Sequence, residues 1–145
     1  MNSLEIENII KKDKKSINIF GGVLAKDELP KNVLWPCSFI INTDKRSEPG
    51  EHWLGLFYNK KGHAEFFDSF AMGPKFYNLE YFLINTSIKY SYNILPIQSL
   101  TSEYCGYYAV MFSLFRSNHK TFFSFLKNFD KNTFVNDNEI KKIMI

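Results

Sequence analysis

The chain is short of the residues that hold scaffolds and metals. Its 145 residues include two cysteines, three histidines, two tryptophans and five prolines. Two cysteines, Cys37 and Cys105, are too few for a disulfide framework and point to a reducing compartment. A zinc set would have to be assembled from His52, His63, Cys37 and Cys105, yet neither a C-x-x-C nor an H-x-x-x-H spacing occurs. Asp44, Glu48 and Glu51 crowd one polar loop without the pattern of a calcium loop. No metal or other cofactor is therefore expected. No apolar run approaches the ~20 residues that span a bilayer, and residues 1–15 mix charges with apolar residues, unlike a secretory signal. The expectation is a protein that is not secreted and has no membrane contact. There is no internal repeat, low-complexity tract or linker, so residues 1–145 read as one domain. The net charge of +3 is mild. It permits weak nucleic-acid contact without requiring it, and Lys11, Lys12, Lys14 and Lys15 read first as a solvated helix end.

What the chain has in excess is aromatic surface: 17% of residues, including 15 phenylalanines, within 45% hydrophobic content. That is ample for a core at this length. Leu4, Ile6, Ile9 and Ile10 recur at near-helical spacing, with acids early and lysines late. Ile17 to Phe20 is a short apolar run broken by Gly21-Gly22, which reads as a turn. Trp35–Thr43, His52–Tyr58 and His63–Phe70 read as strands, the last two joined by a hairpin turn near Lys60-Lys61. Pro74–Ile84 reads as a helix and Lys89–Ile97 as a strand. Tyr107–Phe115, Lys120–Phe129 and Asp137–Met144 read as helices. The pattern predicts an α+β domain, with helices packed on a central mixed, mostly antiparallel sheet.

The chemistry centres on the stretch from Gln98 to Gly106. Cys105 precedes an apolar helix, and Thr101 or Ser102 is placed to be its N-cap. Cys105 then lies in the first helical turn, where unpaired N–H groups and the dipole favour a thiolate. Upstream, His52 opens one strand and Asp68 follows the core of the next. Paired across the hairpin, they come within about one residue of level. A carboxylate there can hold one ring nitrogen and leave the other for sulfur. Gln98 Nε2 and the Cys105 backbone N–H can serve as donors to an oxyanion. Each residue alone has a plainer reading: a packed cysteine, a surface histidine, a strand-capping aspartate, a loop amide. Their joint presence, in this order, carries the argument.

Three segments, Glu51-His52-Trp53, Phe66-Phe67-Asp68-Ser69-Phe70 and Gln98 to Gly106, resemble the adenovirus maturation protease, adenain, and its relatives in Polinton or Maverick transposons and virophages. Proteases of ubiquitin-like modifiers are more distant kin. The shared features are the order His, Asp or Glu, Gln, Cys and a seven-residue step from Gln98 to Cys105. Ile19-Phe20-Gly21-Gly22-Val23 and Asn42-Thr43 are similar to flanking adenain segments. The resemblance implies a thiol endopeptidase with Cys105 as nucleophile, His52 as base and acid, Asp68 as orienter and Gln98 as oxyanion donor. It implies substrate contacts at Trp53, Gly21, Gly22 and Gly106. It implies polypeptide substrates, capsid or core precursors with glycine near the scissile bond, and a place in the virion or the host nucleus or cytoplasm. Adenain has Glu where this chain has Asp68, and a smaller or acidic residue in place of Tyr104. No cysteine lies in Lys89–Gln98 to link an activating peptide. Removal of ubiquitin-like modifiers, or binding of peptide or DNA without catalysis, are the alternatives.

Overall fold

The computed structural model describes all residues, Met1–Ile145. Helix α1 (Ser3–Lys11) starts at a capping box: Glu5 N–H donates to Asn2, and Asn2 N–H donates to the Glu5 carboxylate. A short α2 (Lys14–Ile19), capped by Asp13, runs straight into strand β1 (Phe20–Leu24). Strands β2 (Cys37–Asn42), β3 (Trp53–Tyr58), β4 (His63–Phe67) and β5 (Lys89–Tyr92) follow, with α3 (Glu80–Thr86) between the last two. Three helices close the chain: α4 (Cys105–Ser117), α5 (Phe122–Leu126) and α6 (Thr133–Met144). No helix is long and apolar enough to cross a membrane.

The five strands form one mixed sheet in the order β1-β2-β3-β4-β5. Its two central pairings, β2 with β3 and β3 with β4, are antiparallel; the outer two are parallel. Both faces are covered, which is why Phe39, Ile40 and Ile41 run apolar without alternation. Phe39, Ile41, Leu54, Leu56, Tyr58 and Phe66 pack on the α3 side. Ile40, Phe57 and Phe67 face the α4 side, with partners from α1, α4, α5 and α6.

Several boundaries differ from those the sequence predicts. Gly21-Gly22 is no turn. Both glycines lie inside β1, where the register to β2 slips between Phe20 and Gly22. A side chain on Gly21 would collide with the Phe39 ring, so close packing gives that position its reason. The Pro74–Ile84 helix divides in two. A 3-10 turn, Pro74–Tyr77, ends at Asn78 in the left-handed conformation (φ 59°), and α3 starts at Glu80. Strand β5 stops at Tyr92 because the Asn93 side chain takes over the pairing. Its Oδ1 accepts Asp68 N–H at 3.0 Å and its Nδ2 donates to Asp68 O at 2.7 Å, as a neighbouring peptide would. Helix α5 is shorter than its phenylalanine stripe suggests, and α6 starts earlier, at its Asn132 cap.

Gly55 sets how near α4 comes to the sheet. A Cβ there would sit 2.5 Å from Phe112 Cδ2, deep in the core. Gly55→Ala is therefore expected to destabilise the fold by about 1–3 kcal/mol through overpacking. The denaturant midpoint should fall at unchanged m-value.

Candidate active site

The end of the sheet where β3 begins and β4 finishes gathers three of the predicted residues. Continuing the β3–β4 register past the ladder sets Asp68 level with Leu54, two residues along from His52 and on the same face. The expected near-level pairing is thus a diagonal one, still within reach of a ring and a carboxylate. His52 Nε2 lies 2.7 Å from Asp68 Oδ1, with the two side chains 8% and 1% exposed. Nδ1 is thereby left for Cys105.

Asp68 is ionised inside the protein because its neighbours supply donors. Oδ1 also accepts Phe70 N–H at 3.0 Å, and Oδ2 accepts Met72 N–H at 3.0 Å and the Tyr77 hydroxyl at 2.6 Å. The two amides come from a tight turn in which Ala71 N–H donates to Asp68 O and Ala71 takes φ 57°. Burial pushes the Asp68 carboxyl up, but the His52 hydrogen bond and charge, then Tyr77, hold it below the usual carboxylate value. Tyr77 is driven above the ordinary phenol range by burial and the adjoining carboxylate. It stays a neutral donor. Phe70 stacks on the His52 ring, centroids 4.6 Å apart and planes 18° apart, and Tyr77 lies near-parallel at 5.9 Å.

Burial works against a charged His52. The hydrogen bond to Asp68, then that to Cys105, and the charges of both outweigh it and raise the ring to about 9. Burial likewise pushes the Cys105 thiol up. The His52 hydrogen bond and charge, then the backbone N–H groups of Trp53 and Gly106, bring it below its ordinary value. The protonated ring and the thiolate thus favour each other, which is the direction a nucleophilic cysteine needs. Cys37 behaves oppositely: burial raises it.

Cys105 is the first residue of α4, as expected, but the cap is not. The N-cap residue is Tyr104, with no side-chain hydrogen bond to the helix, so neither Thr101 nor Ser102 caps it. Ser102 is engaged with Gln98 instead. Gln98 Nε2 donates to Ser102 O at 3.0 Å and to Ser102 Oγ at 2.9 Å, while Ser69 Oγ donates to Gln98 Oε1 at 2.5 Å. The amide expected beside the sulfur is thus occupied and 1% exposed.

A cleft of about 970 Å³ opens over the pair, walled by His52, Trp53, Met72, Tyr77, Ser102 and Cys105 among others. Trp53 reaches it as expected, fixed by its Nε1 donating to Met1 O at 2.9 Å. Gly21, Gly22 and Gly106 do not wall the cleft. Gly106 is buried where a Cβ would meet Met1 and Trp53 at 3.0–3.1 Å, so its missing side chain permits close packing of the start of α4. The zinc alternative is not assembled: no three His, Cys, Asp or Glu side chains group to hold an ion. Nothing in the sequence pattern around Tyr77, Phe70 and Asn93 marks them as site residues. Only the Asp68-Ser69-Phe70 run hinted at one of them.

The sequence matches no protein-family model and no curated protein. Among solved structures it is similar to the ASFV pS273R protease at 21% identity and a TM-score of 0.45, over 70% of this chain and 44% of that one. It is also similar to the SUMO protease Ulp1, whose catalytic cysteine was oxidized to a sulfinic acid, at 16% identity and a TM-score of 0.49, over 83% of this chain and 68% of that one. The chain spans less than half the length of the first. These likenesses concern the fold, and neither activity nor substrate is carried across them.

The lowering of Cys105 by His52 has a measurable consequence in pH. Alkylation by iodoacetamide should rise with a midpoint below the ordinary thiol value of 9.0. Asp68→Asn removes the charge that raises His52, so the ring should lose its proton below the wild-type value of about 9. The thiolate loses part of its support in turn, and the alkylation midpoint should move up. An unmoved midpoint would show that Asp68 does not reach the sulfur through His52.

Proposed function

We propose that the protein is a cysteine endopeptidase. The observation that carries the reading is the buried pair Asp68–His52, with the half-buried Cys105 beside them in an open cleft. Cys105 Sγ attacks the scissile carbonyl carbon, and its electron pair pushes the π electrons onto oxygen as the tetrahedral oxyanion. N–H groups at the uncapped start of α4 are placed to stabilise that charge. Collapse expels the amine, which takes the proton from His52, and leaves a thioester on Cys105. Neutral His52 then takes a proton from water. The hydroxide attacks the thioester, and the second collapse frees the carboxylic acid and returns the sulfur and ring to their ion pair. Asp68 holds the ring orientation throughout and is not protonated.

For substrates we infer precursor polypeptides of a capsid or core, cut beside glycine, in a virion or in the host nucleus or cytoplasm. Support comes from the adenain resemblance of Glu51-His52-Trp53 and Gln98 to Gly106, and from the open cleft of about 970 Å³ beside Cys105. The exposed lysines 11, 12, 14 and 15 favour weak contact with nucleic acid.

Cys105→Ala is expected to abolish hydrolysis of glycine-containing peptides, and His52→Ala to cost on the order of 10²–10⁴ in kcat/KM. Iodoacetamide with mass mapping should modify Cys105 ahead of Cys37. Preferential modification of Cys37, or turnover surviving in Cys105→Ala, would rule the reading out. A fluorogenic modifier conjugate cleaved faster than every peptide would redirect it to modifier removal.

A further inference from the structure

Gln98 is the site residue whose donors are already occupied, and its partners differ in kind. A backbone carbonyl can only accept. The amide nitrogen must therefore face Ser102 O, which leaves Oε1 facing the Ser69 hydroxyl, its donor at 2.5 Å. Ser69 grips the same stretch through its backbone too: its carbonyl accepts Ile97 N–H at 2.9 Å and Gln98 N–H at 3.1 Å. Ser69 is also the residue after Asp68, so adjacent side chains reach the ring of His52 and the amide of Gln98.

Ser102 walls the cleft beside Cys105 and Gln98 does not. Both of the amide's bonds to Ser102 are of a kind that an incoming oxyanion can replace. The bond to Ser69 lies at the other end of the amide. Resting on the thiol protease reading, we propose that Ser69 is the positioning residue for the oxyanion donor. It keeps Oε1 turned away while the Ser102 hydroxyl gives up its N–H partner to the negative oxygen of the tetrahedral intermediate. Without the Ser69 hydroxyl only the Ser102 carbonyl orients the amide, whose terminal torsion is broad; an oxyanion that displaces this bond as well leaves Oε1 able to turn toward it and repel it.

The test compares Ser69→Ala, Ser69→Thr and the double variant Ser69→Ala/Gln98→Ala in peptide hydrolysis and in Cys105 alkylation. Alkylation forms no oxyanion and serves as the control for the sulfur. Ser69→Ala should lower kcat at least tenfold, towards the roughly 10²–10³ that losing an oxyanion donor costs. KM and the pH profile of alkylation should not move. Ser69→Thr should restore most of the rate, and Ser69→Ala should cost nothing further in the Gln98→Ala background. An unchanged kcat in Ser69→Ala overturns the proposal. So does an equal loss with and without Gln98, or a shifted alkylation profile. If Ser69→Ala fails to fold, Ser69→Cys, of similar volume but a weak donor, replaces it under the same criteria. A wild-type protein that hydrolyses no peptide removes the protease reading and this proposal with it. Active wild type with an equally active Ser69→Ala removes this proposal alone.

Discussion

An ionised carboxylate in the interior is what the rest of the site depends on. Asp68 is 1% exposed, and an unpaired charge so placed would cost several kcal/mol. Two amides, a phenol and an imidazole meet its two oxygens. Hydrogen bonds to a charged group are worth about 1.5–3 kcal/mol each, enough together to hold the charge. The turn that brings two of them forces Ala71 into the left-handed region at φ 57°, a strain of order 1–2 kcal/mol for a residue with a Cβ. The strain is tolerated because the same turn aims the Phe70 and Met72 N–H groups at the carboxylate. From Asp68 the dependence runs outward: the carboxylate favours a protonated His52, and the protonated ring brings the Cys105 thiol below its ordinary value.

The sheet makes these groups meet. Odd and even positions of a strand face opposite ways, so His52 shares a face with Leu54 and Leu56 while Trp53 faces the α4 side with Ile40 and Val110. His52 and Asp68 meet on the α3 face, which is why Tyr77, from the turn before α3, can complete the carboxylate's shell. Cys105 arrives from the other face, at the end of a helix that lies close to β3 because Gly55 has no side chain. The site sits where the sheet ends because only there can side chains from both faces converge.

The same geometry explains how far the sequence could be read. Residue type and order pointed to His52, Asp68 and Cys105, and apolar runs located the central strands and the helix of Cys105. Parity determines which face a side chain takes, but a pairing displaced by two residues leaves every side chain on its face. The pattern is therefore blind to the diagonal placement of His52 and Asp68. Gln98 was legible as a residue and illegible as a state, because its occupancy by Ser102 depends on how the loop from Ser99 to Tyr104 folds back. Ser102 could be given to the helix as a cap or to Gln98 as an acceptor, and local pattern cannot decide between them. Asn93 and Tyr77 join the site from distant loops with no spacing to announce them.

The two cysteines show what makes a sulfur a nucleophile here. Both are reduced and half-buried, so exposure does not separate them. Cys37 opens a strand, and its Sγ has the Ser38 carbonyl as its hydrogen-bond partner at 3.9 Å. That oxygen can only accept, so the contact suits a thiol; burial raises Cys37 and outweighs the lowering by the Ser38 backbone. Cys105 meets an imidazolium and backbone N–H groups, all donors, and they outweigh a comparable burial. The missing side-chain cap on α4 belongs to the same logic. A serine or threonine accepting the first amides of the helix would take the donors that a thiolate, and then an oxyanion, requires. Leaving that end uncapped costs the helix about 1 kcal/mol and keeps its amides available to the two anions that hydrolysis creates.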